Sequence, residues 1–320
     1  MKYPLLFTYL GRFLGLIGLS MLLPVPWAYY FREDPWPLII SGLITGLVGL
    51  FMAVFFKQQA QPKHLVHYRE AFALVTIGWI LASAFGSLPY LFSGCLLDFT
   101  DAFFETMSGF TTSGASVFVD VEILPNSILF WRSLTSWLGG MGIIVLIVAL
   151  LSQLGVGANQ VFQAEAPGAV SEKLTPRVAK TARILWITYL VMTILETLLL
   201  WLAGMSLFDA LCHSFTSTAT GGFSTKNLSV GHFSPVIQWI VLLFIFLAGA
   251  NFALYFQTIR GRSLKFFLKD PEFKLYCLVI FAATCFIAWE IQGLYPLGEA
   301  LLRNALFQAV SVLTTTGFAI

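Results

Sequence analysis

The chain has 320 residues, of which 58% are hydrophobic and only 11% are charged, and its formal net charge is +2. Because an ordinary globular domain carries about 25% charged residues, this composition excludes a water-soluble protein. It predicts an integral membrane protein that contacts the lipid bilayer and has no nucleic-acid partner.

Seven segments are apolar and long enough to cross about 30 Å of hydrocarbon, which takes roughly 20 residues as a helix. In chain order they are residues 5–29, 37–56, 71–94, 128–152, 183–204, 235–258 and 275–294. The first is too long for a secretory signal and lacks a small-residue cleavage site, so a retained helix is predicted. The four cysteines show no CxxC spacing, which argues against a disulfide framework or a zinc site.

Basic residues predict the orientation of these spans. Twelve of the 18 Lys and Arg residues fall in three alternate loops, at 57–70, 173–183 and 260–274, which places those loops in the cytoplasm. The opposite loops carry Glu33, Asp34, Asp98, Asp101, Glu105, Asp120, Glu122, Asp209 and Glu299. Two interpretations remain open: an acidic outer face that concentrates cations at an entrance, or simple tolerance of anions in outside loops.

A motif of 16 residues occurs three times, as DAFFETMSGFTTSGAS from Asp101, DALCHSFTSTATGGFS from Asp209 and NALFQAVSVLTTTGFA from Asn304. Four columns agree: Ala102, Ala210 and Ala305; Ser108, Thr216 and Ser311; Thr112, Thr220 and Thr315; Gly114, Gly222 and Gly317. Each copy opens with a residue of helix N-cap type and continues through about ten helix-compatible residues, too few to span a bilayer. The motif therefore predicts re-entrant pore loops, each ending in an elbow of threonine and glycine.

The elbows are suited to an alkali cation. Non-helical backbone at membrane depth is tolerated only inside protein or along a water-filled path. Glycine allows carbonyl oxygens to turn towards one axis, threonine hydroxyls add uncharged oxygens, and rings of such oxygens replace the hydration shell of an ion. A divalent site would collect carboxylates instead, and the elbows contain none. The predicted ion-binding residues are Thr111, Thr112, Ser113, Gly114, Ala219, Thr220, Gly221, Gly222, Thr314, Thr315, Thr316 and Gly317.

These elbows, together with the stretches WLGGMGIIVL, AEAPG and GRSLKFFLKDPEF, resemble the Trk/Ktr/HKT superfamily of potassium transporters, and its TrkH branch in particular. The resemblance covers essentially the entire chain. It implies an all-α fold of tandem helix–pore loop–helix repeats behind two leading helices, with one filter glycine per repeat at Gly114, Gly222 and Gly317. Gly221 is a second candidate in repeat two. Relatives that prefer sodium often carry serine at the first glycine position, so Gly114 favours potassium.

The resemblance also implies partners and a location. Family members are multi-pass proteins of the bacterial inner membrane, assemble as dimers, and bind a cytoplasmic nucleotide-binding regulator called TrkA. Nucleotide is therefore expected only on that regulator, and no cofactor is expected on this chain. Coupling of potassium to protons or sodium, as in symport, is left open.

The chain departs from the family pattern in one respect. The family closes its filter with four loops, whereas this sequence supplies three and stops three residues after Gly317. About seven transmembrane helices, three pore helices and no fourth repeat are expected, and a chain of this length is predicted not to conduct by itself. The predicted parts are two leading helices with a loop (1–70), pore repeat one (71–152), a cytoplasmic connector (153–182), pore repeat two (183–258), a cytoplasmic loop (259–274) and partial repeat three (275–320).

A few further residues have two interpretations. Arg132 either extends to the membrane interface or places a cation near the permeation path. Gly249 and Asn251 either allow close helix packing or form a hinge that lines the pore. Glu196 is either neutral and locally bonded or functional, but with Glu290 it is too scattered for an enzyme site. The alternatives to a potassium pore are a non-conducting regulatory subunit and a sodium-permeable relative.

Overall fold

A computed structural model describes residues 3–57, 68–140, 142, 178–261, 263, 265–295 and 298–320. Regular structure in these ranges is helical, and no β-strand occurs among them. The chain divides into two compact units, Met1–Thr111 with Ala115–Arg183, and Thr112–Gly114 with Ile184–Ile320. The connector predicted at 153–182, including the AEAPG stretch, lies almost wholly outside the described residues. The boundaries of the sequence-based parts stay predictions.

The first unit contains seven described helices. They are α1 (Tyr3–Ser20), α2 (Val25–Phe31), α3 (Trp36–Lys57), α4 (Tyr68–Gly86), α5 (Leu88–Phe92), α6 (Phe99–Phe110) and α7 (Asn126–Gly140). Pro24 is the N-cap residue of α2 and Pro26 lies in its first turn, where a helix tolerates proline because the missing N–H would have no partner within the helix. Glu33 accepts the backbone N–H groups of Asn126 and Ser127 at 2.6 and 2.9 Å, and this fixes the start of α7 behind the first pore loop.

Helices α1 and α3 cross at glycines. A methyl group on Gly49 would lie 2.5 Å from the backbone nitrogen of Gly15 and 2.6 Å from the carbonyl oxygen of Gly11. The reciprocal contacts of Gly18 with the backbone of α3 are equally close. Without side chains the two backbones touch, as in small-residue crossings within membranes. The two leading helices therefore form one tightly packed pair.

This crossing gives a matched pair of substitutions. Gly49→Ala is expected to destabilise the protein by about 1 to 3 kcal/mol, because its methyl group meets the backbone of α1. Gly46→Ala, one turn away in α3, has nothing within 4 Å of the added carbon and is expected to be neutral or stabilising by up to about 1 kcal/mol. Thermal unfolding in detergent measures both. Equal melting temperatures for the two variants would contradict the crossing.

The second unit contains the remaining helices. They are α8 (Val178–Leu202, of which the first six residues precede the unit), α9 (Leu207–Thr218), a 3₁₀ turn (Ser229–His232), α10 (Pro235–Ala248), α11 (Phe252–Gly261), α12 (Lys265–Lys269), α13 (Pro271–Ile291) and α14 (Glu299–Leu313). Its core forms around Val241, Phe307 and Val310, which are fully buried. Burial of α14 against α10 positions the third pore loop beside the second.

Five helical segments of the described chain are long and apolar enough to cross a membrane: Pro4–Phe31, Trp36–Phe56, Phe72–Phe92, Leu185–Leu202 and Pro271–Ile291. The first combines α1 with α2, and the third combines most of α4 with α5. They coincide with five of the seven predicted spans. The predicted span 128–152 is described only as far as α7 and Gly142. These helices agree with the prediction of an all-α membrane protein.

The prediction of one uninterrupted span at 235–258 is wrong. Helix α10 ends at Ala248, and α11 begins at Phe252 after a break at Gly249–Asn251. Two tyrosine hydroxyls bond carbonyl groups near the end of α10: Tyr255 donates to Leu247 O at 2.6 Å and Tyr276 donates to Phe246 O at 3.0 Å. These bonds supply partners for the helix end, which apolar surroundings would otherwise penalise.

Candidate ion filter

Each of the three pore helices begins earlier than the sequence motif predicts. The N-cap residues are Asp98 for α6, Ser206 for α9 and Gly298 for α14. The predicted caps Asp101, Asp209 and Asn304 lie inside the helices, so that prediction is wrong. The helices consequently have 12, 12 and 15 residues, about 18 to 22 Å at 1.5 Å per residue. They remain too short to span a bilayer.

Side chains explain two of these starts. Asp98 accepts the N–H groups of Thr100 and Asp101 at 2.6 and 3.3 Å. Hydrogen bonds from the side chain and the backbone of Thr100, and from the backbone of Asp101, hold the pKa of Asp98 below its ordinary value. The cap therefore persists until the pH falls through that lowered value. In α9, Ser206 accepts the N–H of Asp209 at 3.0 Å and donates to its carboxylate at 2.7 Å.

The backbone turns to positive φ at the same two positions of every elbow. In the threonine column φ is +54° at Thr112, +51° at Thr220 and +57° at Thr315. In the glycine column φ is +70° at Gly114, +69° at Gly222 and +84° at Gly317. A β-branched residue at positive φ is a genuine outlier, and such strain persists where the surrounding structure fixes it, commonly at functional sites. The backbone therefore follows the same path after each of the three pore helices.

Hydrogen bonds hold the second and third elbows in the same way. Gly221 N donates to Thr216 O at 2.7 Å, and Thr316 N donates to Ser311 O at 2.9 Å. The hydroxyl of Thr216 donates to the carbonyl of Phe223 at 2.8 Å, and that of Ser311 donates to the carbonyl of Phe318 at 2.7 Å. The serine and threonine column of the motif thus ties the second and third pore helices to the chain beyond their filter glycines.

The filter residues of the second unit lie against one another. A methyl group on Gly114 would lie 2.5 Å from the carbonyl oxygen of Gly221 and 3.5 Å from that of Thr316. A methyl group on Gly222 would overlap the carbonyl of Thr316. Segments from three repeats therefore approach through glycine and carbonyl oxygen, where a side chain of any size would not fit. The three elbows therefore meet at one place, and their role as an ion filter stays a prediction.

The chemistry of this place is that of neutral oxygen. The three elbows contain no acidic or basic side chain, and the C-terminal ends of α9 and α14, with their partial negative charge, lead directly into it. Two of the threonine hydroxyl groups in the predicted ion-binding set donate hydrogen bonds to carbonyl groups of their own pore helices. Thr111 Oγ1 donates to Met107 O at 2.7 Å and Thr314 Oγ1 to Val310 O at 2.8 Å. Each of these hydroxyl groups is thereby held against its own pore helix, and which oxygens of the elbows bind an ion stays a prediction.

Comparison with known proteins gives the family. The model of the TrkH family, described as a cation transport protein, matches residues 48–320. The chain belongs to the TrkH family. It is 39% identical over 322 residues to the Trk system potassium uptake protein TrkH of Salmonella typhimurium, covering 98% of this chain and 66% of that protein.

Other TrkH proteins agree. The TrkH of Escherichia coli K12 is 44% identical over 301 residues, which are 88% of this chain and 62% of that relative. The crystal structure of the potassium transporter TrkH from Vibrio parahaemolyticus superposes with a TM-score of 0.86 at 35% identity, covering all of this chain and 66% of that one. The chain thus spans about two thirds of the length of the TrkH relatives that it matches, and the all-α membrane fold is that of TrkH.

Of the two predicted hinge residues, Gly249 lies beside the third elbow. A methyl group on Gly249 would overlap the side chain of Thr314 and approach the hydroxyl of Tyr276 at 2.8 Å. Asn251 donates to the Glu272 carboxylate at 3.1 Å. Close packing therefore accounts for Gly249, and the break in the helix runs through both residues. A gating role for them stays a prediction.

Two charged residues of the spans are buried. Arg132 does not extend to an interface: its side chain is 4% exposed, and its Nε lies 2.6 Å from Glu105 Oε1. This ion pair makes Arg132 a structural residue behind the first pore helix, and a role in permeation stays a prediction. Glu196 is fully buried and accepts the Thr218 hydroxyl at 3.3 Å, in agreement with the locally bonded interpretation.

Sequence reasoning missed the side chains that support the elbows from behind. Glu105 and His213 are both fully buried and occupy the fifth position of the aligned motif. Glu105 was assigned only to the acidic outer face. The sequence feature that could have revealed these residues is a polar residue at the fifth position of every copy, with Gln308 in the third.

Proposed function

We propose that this chain is the membrane-embedded, potassium-translocating part of a Trk-type uptake system in the bacterial inner membrane. The convergence of Gly114, Gly222 and Thr316, with carbonyl oxygens between them, is the observation that carries the proposal. Potassium would shed water and be coordinated by these backbone oxygens as it moves down its electrochemical gradient. No enzymatic reaction is proposed.

The neutral character of the site supports a monovalent ion. A divalent cation is usually held by several carboxylates, and the described residues contain no group of three or more His, Cys, Asp or Glu side chains that could hold a metal. Neutral oxygens and helix C-termini attract an alkali ion without trapping it. The relatives named for potassium uptake support potassium as that ion.

Assembly follows the family by analogy. We propose a dimer that binds a TrkA-like nucleotide-binding regulator at its cytoplasmic face, where the basic loops are predicted to lie. The regulator, not this chain, would bind nucleotide. A sodium-permeable pore and a non-conducting regulatory subunit are the competing functions, and ion flux distinguishes all three.

Substitution of Gly114 tests the filter assignment. In Gly114→Ser the new carbon would lie 2.5 Å from Gly221 O, so the two elbows must separate and the ring of oxygens must widen. We expect uptake of rubidium to continue, with discrimination against sodium falling about tenfold, a change of roughly 1.4 kcal/mol. Uptake by bacteria lacking their own potassium systems, expressing the complete gene product, measures both ions. A variant with unchanged selectivity would refute the assignment, and a wild type without uptake would favour the non-conducting alternative.

A further inference from the structure

The fifth residue of the pore motif is polar in every copy, with Glu105 in α6, His213 in α9 and Gln308 in α14. Glu105 and His213 are completely buried, whereas Gln308 is exposed. A buried polar group is costly unless it is hydrogen-bonded. The partners of the two buried residues therefore indicate what these residues do.

Glu105 holds the chain that follows the first elbow. Its Oε1 accepts the hydroxyl of Ser116 at 3.0 Å and its Oε2 accepts the N–H of Val117 at 2.9 Å. Arg132 Nε donates to the same carboxylate. The carboxylate thus joins the pore helix, α7 and the segment that returns from Gly114, two residues before Ser116.

His213 makes the corresponding contact in the second repeat. Its Nε2 lies 2.9 Å from Ser224 Oγ, and its Nδ1 lies 2.8 Å from the carbonyl oxygen of Asp209. Because a carbonyl only accepts, Nδ1 carries the hydrogen and Nε2 accepts the serine hydroxyl. Ser224 follows Gly222 by two residues, as Ser116 follows Gly114.

Each of the two serines also accepts a hydrogen bond from the backbone N–H two residues further along the chain. The N–H of Phe118 donates to Ser116 Oγ at 3.1 Å, and the N–H of Lys226 donates to Ser224 Oγ at 3.0 Å. Two different side chains, a carboxylate and an imidazole, therefore produce the same bonding at the same register. In both repeats the pore-helix side chain bonds the serine, and the serine accepts the N–H two residues further on. Chance contacts would not repeat in the same order at the same positions.

The third repeat lacks this arrangement. Alanine, Ala319, occupies the serine position, and no hydrogen bond joins Gln308 to its own returning segment within residues 298–320. The N–H of Ala319 instead bonds Ser229 Oγ at 3.2 Å, and Gly231 N donates to Ala319 O at 3.0 Å. Gln308 is thus a natural control for the other two residues.

We infer that Glu105 and His213 are positioning residues that fix the filter carbonyls of repeats one and two through Ser116 and Ser224, and thereby set the discrimination between potassium and sodium. The inference rests on the proposed function. The returning segments are non-helical backbone, for which every hydrogen bond matters at membrane depth. Only two residues separate each filter glycine from its anchored serine, so a displaced serine displaces the carbonyls.

Ser224→Ala, Ser116→Ala and His213→Leu test the inference in the complete gene product, with uptake of rubidium and sodium as the readout. Each is expected to lower the rubidium-to-sodium ratio roughly fivefold, the effect of one lost hydrogen bond. His213→Gln, whose amide oxygen replaces the acceptor near Nε2, is expected to restore most of the ratio. Gln308→Ala is expected to leave it unchanged.

Hydrogen exchange gives a readout that does not depend on transport. In folded Ser224→Ala the amide of Lys226 loses its acceptor, so its exchange is expected to become faster, while Gln308→Ala changes nothing there. Serine variants with wild-type ion ratios and wild-type exchange would overturn the inference while leaving the pore intact. An equal loss in Gln308→Ala would overturn it too. A wild type without selective uptake would instead refute the proposed function.

Discussion

Gly222→Ala is expected to lower potassium uptake strongly. The added methyl group would overlap the carbonyl of Thr316, and φ at this residue is +69°, a conformation that alanine adopts at a cost of about 1 to 2 kcal/mol. Overlap with backbone adds about 1 to 3 kcal/mol, because backbone cannot rotate away. Rubidium uptake at limiting concentration is expected to fall at least about tenfold, a change of about 1.4 kcal/mol.

Two other glycines distinguish the effect of steric overlap with Thr316 from the effect of backbone strain at positive φ. Gly94 has φ of +74° outside the filter, and Gly317 has φ of +84° within it, and neither has any atom within 4 Å of an added carbon. Gly94→Ala is expected to retain wild-type uptake with slightly lower stability, and Gly317→Ala is expected to keep more uptake than Gly222→Ala. If Gly222→Ala and Gly94→Ala transport equally well, the close approach to Thr316 has no functional importance.

Glu105→Ala is expected to cause the largest loss of stability. It removes the carboxylate from a pair whose side chains are 4% and 0% exposed, and breaking a buried pair by deleting one partner costs about 3 to 5 kcal/mol. The N–H of Val117 loses its acceptor as well. A fall of about 10 °C in melting temperature is expected in detergent. Combining Glu105→Gln with Arg132→Met is expected to recover part of it, because no buried guanidinium then remains.

The third pore helix supplies the control. Arg303 and Glu299 lie 3.5 Å apart in α14, and the Glu299 side chain is 55% exposed. The Arg303 side chain is only 11% exposed, and Glu299 also accepts the Trp239 N–H at 2.8 Å. Because water screens the exposed carboxylate, the pair contributes about 1 kcal/mol or less, and Glu299→Ala is expected to lower the melting temperature by less than Glu105→Ala does. Similar shifts for Glu299→Ala and Glu105→Ala would show that burial of the first pair is unimportant.

Some features of the fold and filter follow from sequence because they depend on composition and repetition. Five apolar runs became membrane-length helices, since length and hydropathy alone decide that a helix can cross lipid. The columns of Gly114 and Thr112 mark positive φ in all three elbows. Glycine at such a position is an ordinary expectation. Threonine is not, and only the structure shows that its column marks backbone conformation as well as hydroxyl oxygen.

Other features depend on contacts that no local pattern reveals. Asp98 and Asp101 are both acceptable caps by type, and the geometry of the Asp98 side chain decided between them. The break after Ala248 lies in an apolar run, and one of its supporting hydroxyls comes from Tyr276 in another helix. The burial of Glu105 likewise depends on Arg132, 27 residues away. Because such partners are distant in sequence, helix ends and the roles of polar residues were predicted less accurately than the membrane spans.

The hydrogen bonds between Ala319 and the Ser229–His232 turn make the repeats of this chain different from one another. Duplication produces copies that are at first interchangeable, and swapping any two of them would leave a symmetric ring intact. Here the second copy carries a turn that bonds the third copy, and the third copy has alanine where the other two have serine. The second and third copies are therefore not interchangeable, because exchanging them would remove the hydrogen bonds between Ala319 and the Ser229–His232 turn.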